Sequence, residues 1–590
     1  MTRTRRPASV TRAWRLASAV AIVAAMALAG SGCTVIPVTG PLNVNETGSN
    51  DPLSKPFQRM IAIPPQRTWG LEQTLRGLQA AMAAYADDPT VLPQYLTPEA
   101  RAKWNASGPV TVLEDDFEVV PPAAREEPGA AQKVTLKGRW VARINEDDSY
   151  VPTGGPWEAP FELVQVQGGG YRVKSLPNEL LHGLLLTHAD VARAYRATNL
   201  YYLNGNTRDR LVVDRVRLRL KPTETYAHAI LQRLLKNPTG ALQGAVTTSF
   251  PPGTKILSIR SDERVVINLS GPIDTLDPST EALLKAQIRY SLNKNEIAKG
   301  RVIEIQVDGE PYSVDPPNSD DQWLDDSSDT AYYVTKGAVH YMGKDGPSVA
   351  VPGPAGEPRE GYSGYALSKD GTQIAAKTST GISVAGLTAQ GHWQEVIQGA
   401  KLTLPTWHRD GSLWTYDQEN AVLLRYDPSS GKGPQRVAAP KLTGLDVTRL
   451  RIARDGVRVA VMTGENTVQI GALTGEAAGP MLGNFQLLTT TTAGNKILDV
   501  AWSDDEHLLV LVGSKAGQTL NEINVGDGEV AGVPLNDVND PVTSLAAMDD
   551  RVLAEADAGP STKIYELNQD RQSWTVKIES DAGSPLFPLG

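Results

Sequence analysis

The segment RDGVRVAVM (residues 454–462) places a polar turn directly before an apolar strand. The same order recurs through the C-terminal half of the chain. It is found at the triplets KDG (369–371), RDG (409–411), RDG (454–456), DDE (504–506) and DDR (549–551). The last residues of these triplets are 40, 45, 50 and 45 positions apart. A repeat of about 40 to 50 residues with only strand signals predicts a β-propeller, because four-stranded blades bury both faces only by stacking around an axis.

Three further patterns extend this repeat into a ring over residues 330–590. Trp407 and Trp502 stand two or three positions ahead of the turn acid in their repeats. Inner strands are assigned to 412–416, 457–462, 508–512 and 552–556. The last three strands of a sixth blade are assigned to 332–334, 339–341 and 348–351, and its first strand to 585–589, which removes two exposed edges by pairing the chain ends. We expect about six blades; a β-sandwich is the alternative, but it lacks a repeat of about 45 residues.

Residues 1–32 have the layout of a signal peptide. All five of their arginines lie in residues 1–15, no acid is present, and Leu16 to Ala29 carry no charge. This apolar run is too short to cross about 30 Å of hydrocarbon, so a permanent membrane helix is the weaker interpretation. The run is followed by Gly30, Ser31, Gly32 and Cys33, the one cysteine of the chain. A single cysteine excludes an internal disulfide and a thiolate metal cluster.

Small residues directly before a cysteine resemble the lipobox of bacterial lipoproteins, although Gly30 stands where leucine is commoner. The resemblance implies cleavage before Cys33, a diacylglycerol on its sulfur and an acyl chain such as palmitate on its new amine. Two or more acyl chains give stable anchoring, since each buried CH₂ contributes about 0.8 kcal/mol. We therefore expect a cell-membrane lipoprotein on the extracytoplasmic face; a chance cysteine in an ordinary signal peptide is the alternative.

The charge of the chain limits its partners. The formal net charge is −10, and removal of residues 1–32 lowers it to −15. An acidic ectodomain does not favour phosphate backbones or anionic lipid heads, so nucleic acid is excluded as an expected partner.

Two α+β domains are predicted between the anchor and the propeller. Residues 33–52, rich in Pro, Gly and Asn, indicate a flexible tether. Over 53–190, apolar spacing predicts a helix from Leu71 and a second from Thr97–Pro98 past Trp104, followed by an antiparallel sheet. This order resembles NTF2-like folds.

Over 195–313, strands and helices alternate, with a PPGT turn and a last strand that closes at Val307-Asp308-Gly309. This unit resembles the GerMN domain of envelope lipoproteins, which implies an interaction role without catalytic residues. Residues 314–329 indicate an acidic linker. A calcium loop is the alternative for this linker, but the alternating ligands, central Gly and final Glu of an EF-hand are not in place.

No motif in the sequence points to an enzyme. The acidic run Glu114 to Glu118 is typical of a solvated face, and His182 and His188 lack metal-ligand spacing on a helix. The segment 361–365 (GYSGY) misplaces its glycines for a nucleophile elbow. We therefore predict no catalytic residues, no cofactor and no metal site.

The order of lipobox, α+β domain, GerMN-like domain and propeller resembles the actinobacterial lipoprotein LpqB family. That resemblance implies an accessory protein of the MtrAB two-component system, which meets the extracellular sensor domain of the MtrB histidine kinase and affects the cell envelope and division. Two alternatives from other classes remain. One is a cell-wall glycan-binding module, and the other is a propeller hydrolase that acts on wall peptide or glycan.

Overall fold

The computed structural model describes residues 42–45, 58–122, 130–219, 224–261, 263–298, 300–315, 323, 330–344, 346–476 and 479–589. The predicted signal peptide therefore lies outside the described residues. Within the predicted tether, Leu42–Asn45 forms strand β1, which pairs antiparallel with β2 (Gln58–Ile61). The prediction of a flexible tether over all of 33–52 is therefore wrong for this segment, because a partner strand outside the tether satisfies its backbone hydrogen bonds.

The first domain packs short helices against a mixed sheet. Its helices are α1 (Leu71–Ala83), α2 (Pro98–Lys103) and α3 (His188–Ala194). Its strands are β3 (Asn105–Leu113), β4 (Glu118–Val120), β5 (Gln132–Ile144), β6 (Tyr150–Pro152), β7 (Pro156–Gln165), β8 (Tyr171–Ser175) and β9 (His182–Thr187). The sheet order is β8-β7-β5-β3-β9, with β4 and β6 also paired to β5. The α+β class is confirmed, while the likeness to NTF2-like folds stays a prediction.

Two details of this domain differ from the sequence prediction. The sheet is not purely antiparallel, because β3 and β9 run parallel. Their long connection contains the rest of the sheet, so no hairpin imposes antiparallel pairing. Helix α2 ends at Lys103 rather than past Trp104, since Trp104 is extended and its ring packs edge-on against Tyr85 at 5.3 Å between centroids.

The middle domain combines two sheets and two helices. Its strands are β10 (Tyr195–Asn204), β11 (Leu211–Arg219), β12 (Val246–Thr247), β13 (Ile256–Ser261), β14 (Val265–Leu269), β15 (Ile303–Val307) and β16 (Glu310–Asp315). Its helices are α4 (Tyr226–Leu234) and α5 (Pro278–Asn293), the second capped by the Asp277 side chain. The sheet orders are β11-β10-β12 and β13-β14-β15-β16. The strand that ends at Val307 is not, as predicted, the last of the domain, because Asp308 and Gly309 take positive φ and turn the chain into β16.

Over the residues that the structure describes from 330 to 589, the C-terminal part forms six four-stranded antiparallel sheets. Its strands, in chain order, are β17 (Tyr332–Thr335), β18 (Ala338–Gly343), β19 (Gly346–Ala350), β20 (Ser363–Leu367), β21 (Gln373–Lys377), β22 (Gly381–Gly386), β23 (Gln394–Gln398), β24 (Thr406–Trp407), β25 (Leu413–Asp417), β26 (Val422–Tyr426), β27 (Gln435–Val437), β28 (Val447–Ile452), β29 (Arg458–Thr463), β30 (Thr467–Glu476), β31 (Gly479–Thr490), β32 (Lys496–Trp502), β33 (His507–Ser514), β34 (Gly517–Asn524), β35 (Val530–Val533), β36 (Val542–Met548), β37 (Arg551–Asp557), β38 (Thr562–Leu567), β39 (Trp574–Ile578) and β40 (Gly583–Leu586). The predicted all-β propeller class is confirmed.

The first strands of the six sheets form the centre of the ring. β20, β24, β28, β32, β36 and β40 contact one another in a closed cycle. β40 pairs with β17, with Leu586 opposite Tyr332, so the C-terminus completes the sheet that begins the ring. The strand starts at Gly583, two residues before the predicted position. This pairing covers the edge of β17 that would otherwise be exposed.

The assignment of the inner strands from sequence is wrong by one strand. The predicted segments 412–416, 457–462, 508–512 and 552–556 fall on β25, β29, β33 and β37, which are second in their sheets. Their apolar runs arise because a second strand is covered by neighbouring sheets on both faces. The repeated triplets are therefore the turns between the first and second strands.

The two repeated tryptophans join neighbouring sheets. The Trp407 indole donates to the Ala366 carbonyl on β20, and the Trp502 indole donates to the Arg451 carbonyl on β28, both at 3.0 Å. Each indole therefore contacts the sheet that precedes its own sheet around the propeller.

Candidate functional site: the junction of the three domains

The predicted lipid-attachment residue and its lipobox, Gly30, Ser31, Gly32 and Cys33, lie outside the described residues. Two acids of the run from Glu114 to Glu118 contact nearby groups. Glu114 pairs with Arg139 at 3.3 Å, and Asp115 accepts the Ala189 amide at 2.8 Å, near the start of α3. The acidic run therefore fixes local structure.

The remaining candidates do not converge on one site. His182 lies beside Asn105, with 2.7 Å between ring and amide nitrogens, and His188 begins α3. Ser363 of the GYSGY segment is exposed at the start of β20. Over the described ranges, no group of three or more His, Cys, Asp or Glu side chains has the arrangement of a metal site. None of the described helices has both the length and the apolar character needed to cross a bilayer.

The structure instead concentrates charged groups on strand β11 of the middle domain. Successive side chains of the strand point to opposite faces, so Val216 and Leu218 enter the domain core. Arg215, Arg217 and Arg219 project from the other face. The sequence DRVRLR (214–219) carries this signal, but its partners come from distant parts of the chain. The row of arginines contacts both neighbouring domains.

Asp527, in the turn between β34 and β35, is the main acceptor for this row. Its Oδ2 atom lies 2.7 Å from Arg215 Nε and 2.7 Å from Arg217 Nη2, and its side chain is only 1% exposed. Arg215 also reaches Glu529 at 3.1 Å, but that carboxylate is 66% exposed. The buried pairings are therefore the stronger link, because solvent and salt screen an exposed pair.

The repeated turns of three consecutive sheets also face the middle domain. Arg210 Nη2 lies 2.7 Å from Asp505 Oδ2, and the Asn199 amide donates to both Glu506 oxygens at 3.0 and 3.1 Å. In the neighbouring repeat, the Asn204 amide donates to the Asp455 carbonyl at 2.7 Å. The sequence located these turns but gave no sign that they form a docking face.

The third of these turns contributes a charge pair, and apolar packing continues across the junction. Arg409 Nη2 lies 3.1 Å from Asp209, and the Arg409 side chain is 1% exposed. Val457 and Ala472 of the propeller belong to the same buried apolar cluster as the core of the middle domain. The two domains thus share a continuous core bordered by ion pairs.

Burial raises the pKa of two acids in this junction. Desolvation raises the pKa of Asp505, and the Arg210 guanidinium opposes that rise. Desolvation and the charge of Asp504 also raise the pKa of Glu506, against the pull of Arg215. The arginines therefore favour the charged form of these carboxylates, against the effect of burial.

The first domain contacts the far end of the same row of arginines. Arg219 Nη2 lies 3.0 Å from Asp87, whose side chain is 1% exposed. Arg233 donates to the Asp147 carbonyl at 2.7 Å and pairs with Asp148 at 3.1 Å. The middle domain is consequently joined to both neighbouring domains by buried or half-buried guanidinium groups.

Family models match nearly all of this architecture. The model described as "Lipoprotein LpqB, N-terminal domain" matches residues 64–191, and "Lipoprotein LpqB beta-propeller domain" matches 341–588. Between them, "Sporulation and spore germination" matches 199–313. The matched segments follow one another in the same order as the three domains described above.

Curated relatives align along the whole chain. "Lipoprotein LpqB" of Thermobifida fusca is 27% identical and the alignment covers 97% of this chain and 99% of that protein. The protein of the same name from Streptomyces avermitilis is 25% identical over 95% and 96% of the two chains, and that from Mycobacterium tuberculosis is 24% identical over 86% and 88%.

Among solved structures, TolB from Acinetobacter baumannii overlaps 44% of this chain and 66% of its own, with 16% identity and a TM-score of 0.35. A chain of the nidogen/laminin complex overlaps 44% of this chain and 97% of its own, with 10% identity and a TM-score of 0.34. At these TM-scores we draw nothing from either overlap. Because its domain models and its full-length relatives agree, this chain belongs to the LpqB family of lipoproteins.

Proposed function

We propose that this lipoprotein is a membrane-anchored accessory regulator of the MtrAB two-component system. In this proposal it contacts the extracellular sensor domain of the MtrB histidine kinase from the outer face of the membrane. Its action on the kinase then affects the cell envelope and division. Membership of the LpqB family supports the proposal, together with the acidic charge of the chain, which disfavours nucleic acid as a partner.

The observation that carries the proposal is that the middle domain contacts both neighbouring domains through buried ion pairs. Along one strand, Arg219 contacts Asp87 of the first domain, while Arg215 and Arg217 contact Asp527 of the propeller, so the strand links the two domains. A partner that binds the propeller therefore acts on a body that is connected to the membrane-proximal domain. Such coupling suits a protein that reports on, or constrains, another membrane protein.

The anchor in this proposal is Cys33, carrying an S-diacylglycerol and an N-acyl chain. Three acyl chains hold a protein at a bilayer far more firmly than the single chain that gives only marginal binding. Anchoring restricts the protein to the same surface as the kinase, which raises the effective concentration of one for the other. Loss of the lipid should therefore weaken the contact without altering the fold.

The test is a crosslinking capture from membranes that express the wild type or Cys33→Ala. A third sample carries Cys33→Ala fused to an unrelated transmembrane helix, which restores the location without the lipid. We expect recovery of the kinase with the wild type and the helix-anchored protein, and loss with Cys33→Ala alone. Recovery of no kinase with any of the three would contradict the proposal. Retention on purified peptidoglycan instead, or labelling by an active-site-directed hydrolase probe, would favour the two alternative functions.

A further inference from the structure

Two arginines of the propeller lie at the centre of the ring. Arg449 and Arg451 alternate on β28 with Leu450 and Ile452, which are buried in an apolar cluster with the preceding sheet. The two guanidinium groups therefore share the opposite face of the strand, towards β32. β28 is one of the six strands that contact one another around the axis.

Only one carboxylate from the neighbouring strand balances these two positive charges. Asp499 on β32 has a fully buried side chain and forms an ion pair with Arg449. The same carboxylate accepts the Val500 amide at 2.6 Å and the Leu545 amide at 2.8 Å. Both oxygens of Asp499 are thus already engaged, and the carboxylate neutralises a single guanidinium.

Over the part of the chain that the structure describes, no carboxylate neutralises the second guanidinium, that of Arg451, in the same way. Arg451 is mostly buried, and its Nε atom is buried without a hydrogen-bond partner. Among the described residues, no carboxylate forms an ion pair with it. Burial, and to a smaller extent the charge of Arg449, lower the pKa of Arg451 to about 9, so its positive charge is held at an energetic cost.

We propose that Arg449 and Arg451 form a binding site for the carboxylate group of a small organic acid at the centre of the propeller. A carboxylate offers two coplanar oxygens, which match the parallel N–H groups of a guanidinium. One carboxylate also cancels the single positive charge left by two arginines and Asp499. We expect a small ligand because the inner strands contact one another in a closed cycle, which limits the space beside the two arginines.

The test compares malonate with malonamide, a neutral molecule of similar size, at equal ionic strength. The full-length protein is purified in detergent, and its melting temperature and calorimetric binding are measured with each probe. The variants are Arg451→Gln, which keeps hydrogen-bonding groups but loses the charge, and Arg436→Gln, an exposed arginine on β27. Sulfate is included as a tetrahedral anion.

We expect malonate, and not malonamide, to raise the melting temperature of the wild type and of Arg436→Gln. Arg451→Gln should weaken malonate binding by about tenfold or more, the scale of lost hydrogen bonds to a charged group. Without malonate, that variant should melt no lower than the wild type, since it removes an unbalanced buried charge. Equal effects of malonate and malonamide on the wild type, a response to sulfate alone, or undiminished malonate binding by Arg451→Gln would each overturn the proposal. The wild-type comparison decides even where the variant does not fold.

Discussion

Replacement of Asp527 by alanine is expected to loosen the propeller from the middle domain. The change removes the acceptor shared by Arg215 and Arg217, both at 2.7 Å, and leaves two positive side chains facing each other. Removing one member of a buried ion pair costs about 3 to 5 kcal/mol. Because the two arginines are 19% and 21% exposed, water partly replaces the lost contact, and the lower end, about 3 kcal/mol, is expected.

Glu529→Ala is the matched control for this change. It removes a carboxylate that contacts the same Arg215, at 3.1 Å, but is 66% exposed. An exposed pair of this kind contributes about 0 to 1 kcal/mol. The comparison therefore separates burial of the charge from the mere presence of a carboxylate near Arg215.

The assay is urea denaturation combined with native-state hydrogen exchange in the turn 525–529. A loss of about 3 kcal/mol corresponds to an opening equilibrium about 100-fold more favourable, since each 1.4 kcal/mol is a factor of ten. Asp527→Ala should therefore show faster exchange in this turn and a lower free energy of unfolding than Glu529→Ala. Costs that agree within about 0.5 kcal/mol, the usual scale of neutral surface changes, would refute the reasoning.

Four further outcomes follow from the fold. Trp407→Phe removes the indole donor to the Ala366 carbonyl and should lower the free energy of unfolding in urea by about 1 to 3 kcal/mol; an unchanged value would show that this link between sheets is dispensable. Burial by itself lowers the pKa of His507, but the hydrogen bond and charge of Asp504 outweigh it, so the net pKa lies above 6.5. The pairing of protonated His507 with Asp504 therefore stabilises the fold fully below pH 6.5, and this stabilisation is lost as pH rises through the raised pKa. The difference in melting temperature between wild type and His507→Gln should shrink from pH 6 to pH 9, and a constant difference would contradict this. Deletion of residues 583–589 exposes the edge of β17 and should produce aggregation on size-exclusion chromatography, whereas a monomer with unchanged melting would argue against closure by the C-terminus. Gly337→Ala should melt well below Gly361→Ala. Both positions have positive φ, but only at Gly337 would an added Cβ clash with a backbone oxygen, that of Arg359; equal melting would refute the steric argument.

Local sequence patterns predicted the elements that depend on short-range order. The spacing of Leu71, Leu75 and Leu78 gave a helix that the structure places at Leu71–Ala83, because 3.6-residue periodicity is a property of the segment itself. The repeated triplets gave the turns of the propeller for the same reason. Errors occurred where a distant partner decides, as at β1, which pairs with β2, and at the parallel strands β3 and β9.

The junction was missed because each of its charges looks ordinary in its own segment. In the sequence, Asp505 and Glu506 indicate a turn, and the alternating arginines of β11 are typical of the solvated face of a strand. They meet across roughly three hundred positions of sequence separation, as between Arg215 and Asp527. No local rule predicts such a pairing, since its energy depends on burial that only the packed domains create.

The sequence by itself determined the repeat that specifies a propeller and the order of domains that identifies the family. Both are carried by spacing along the chain, which survives without any tertiary contact. Only the tertiary structure decided that the repeated turns dock on the middle domain and that Arg451 is mostly buried with no carboxylate partner among the described residues. These features depend on which groups are removed from water together, and that is fixed by the packing of distant segments.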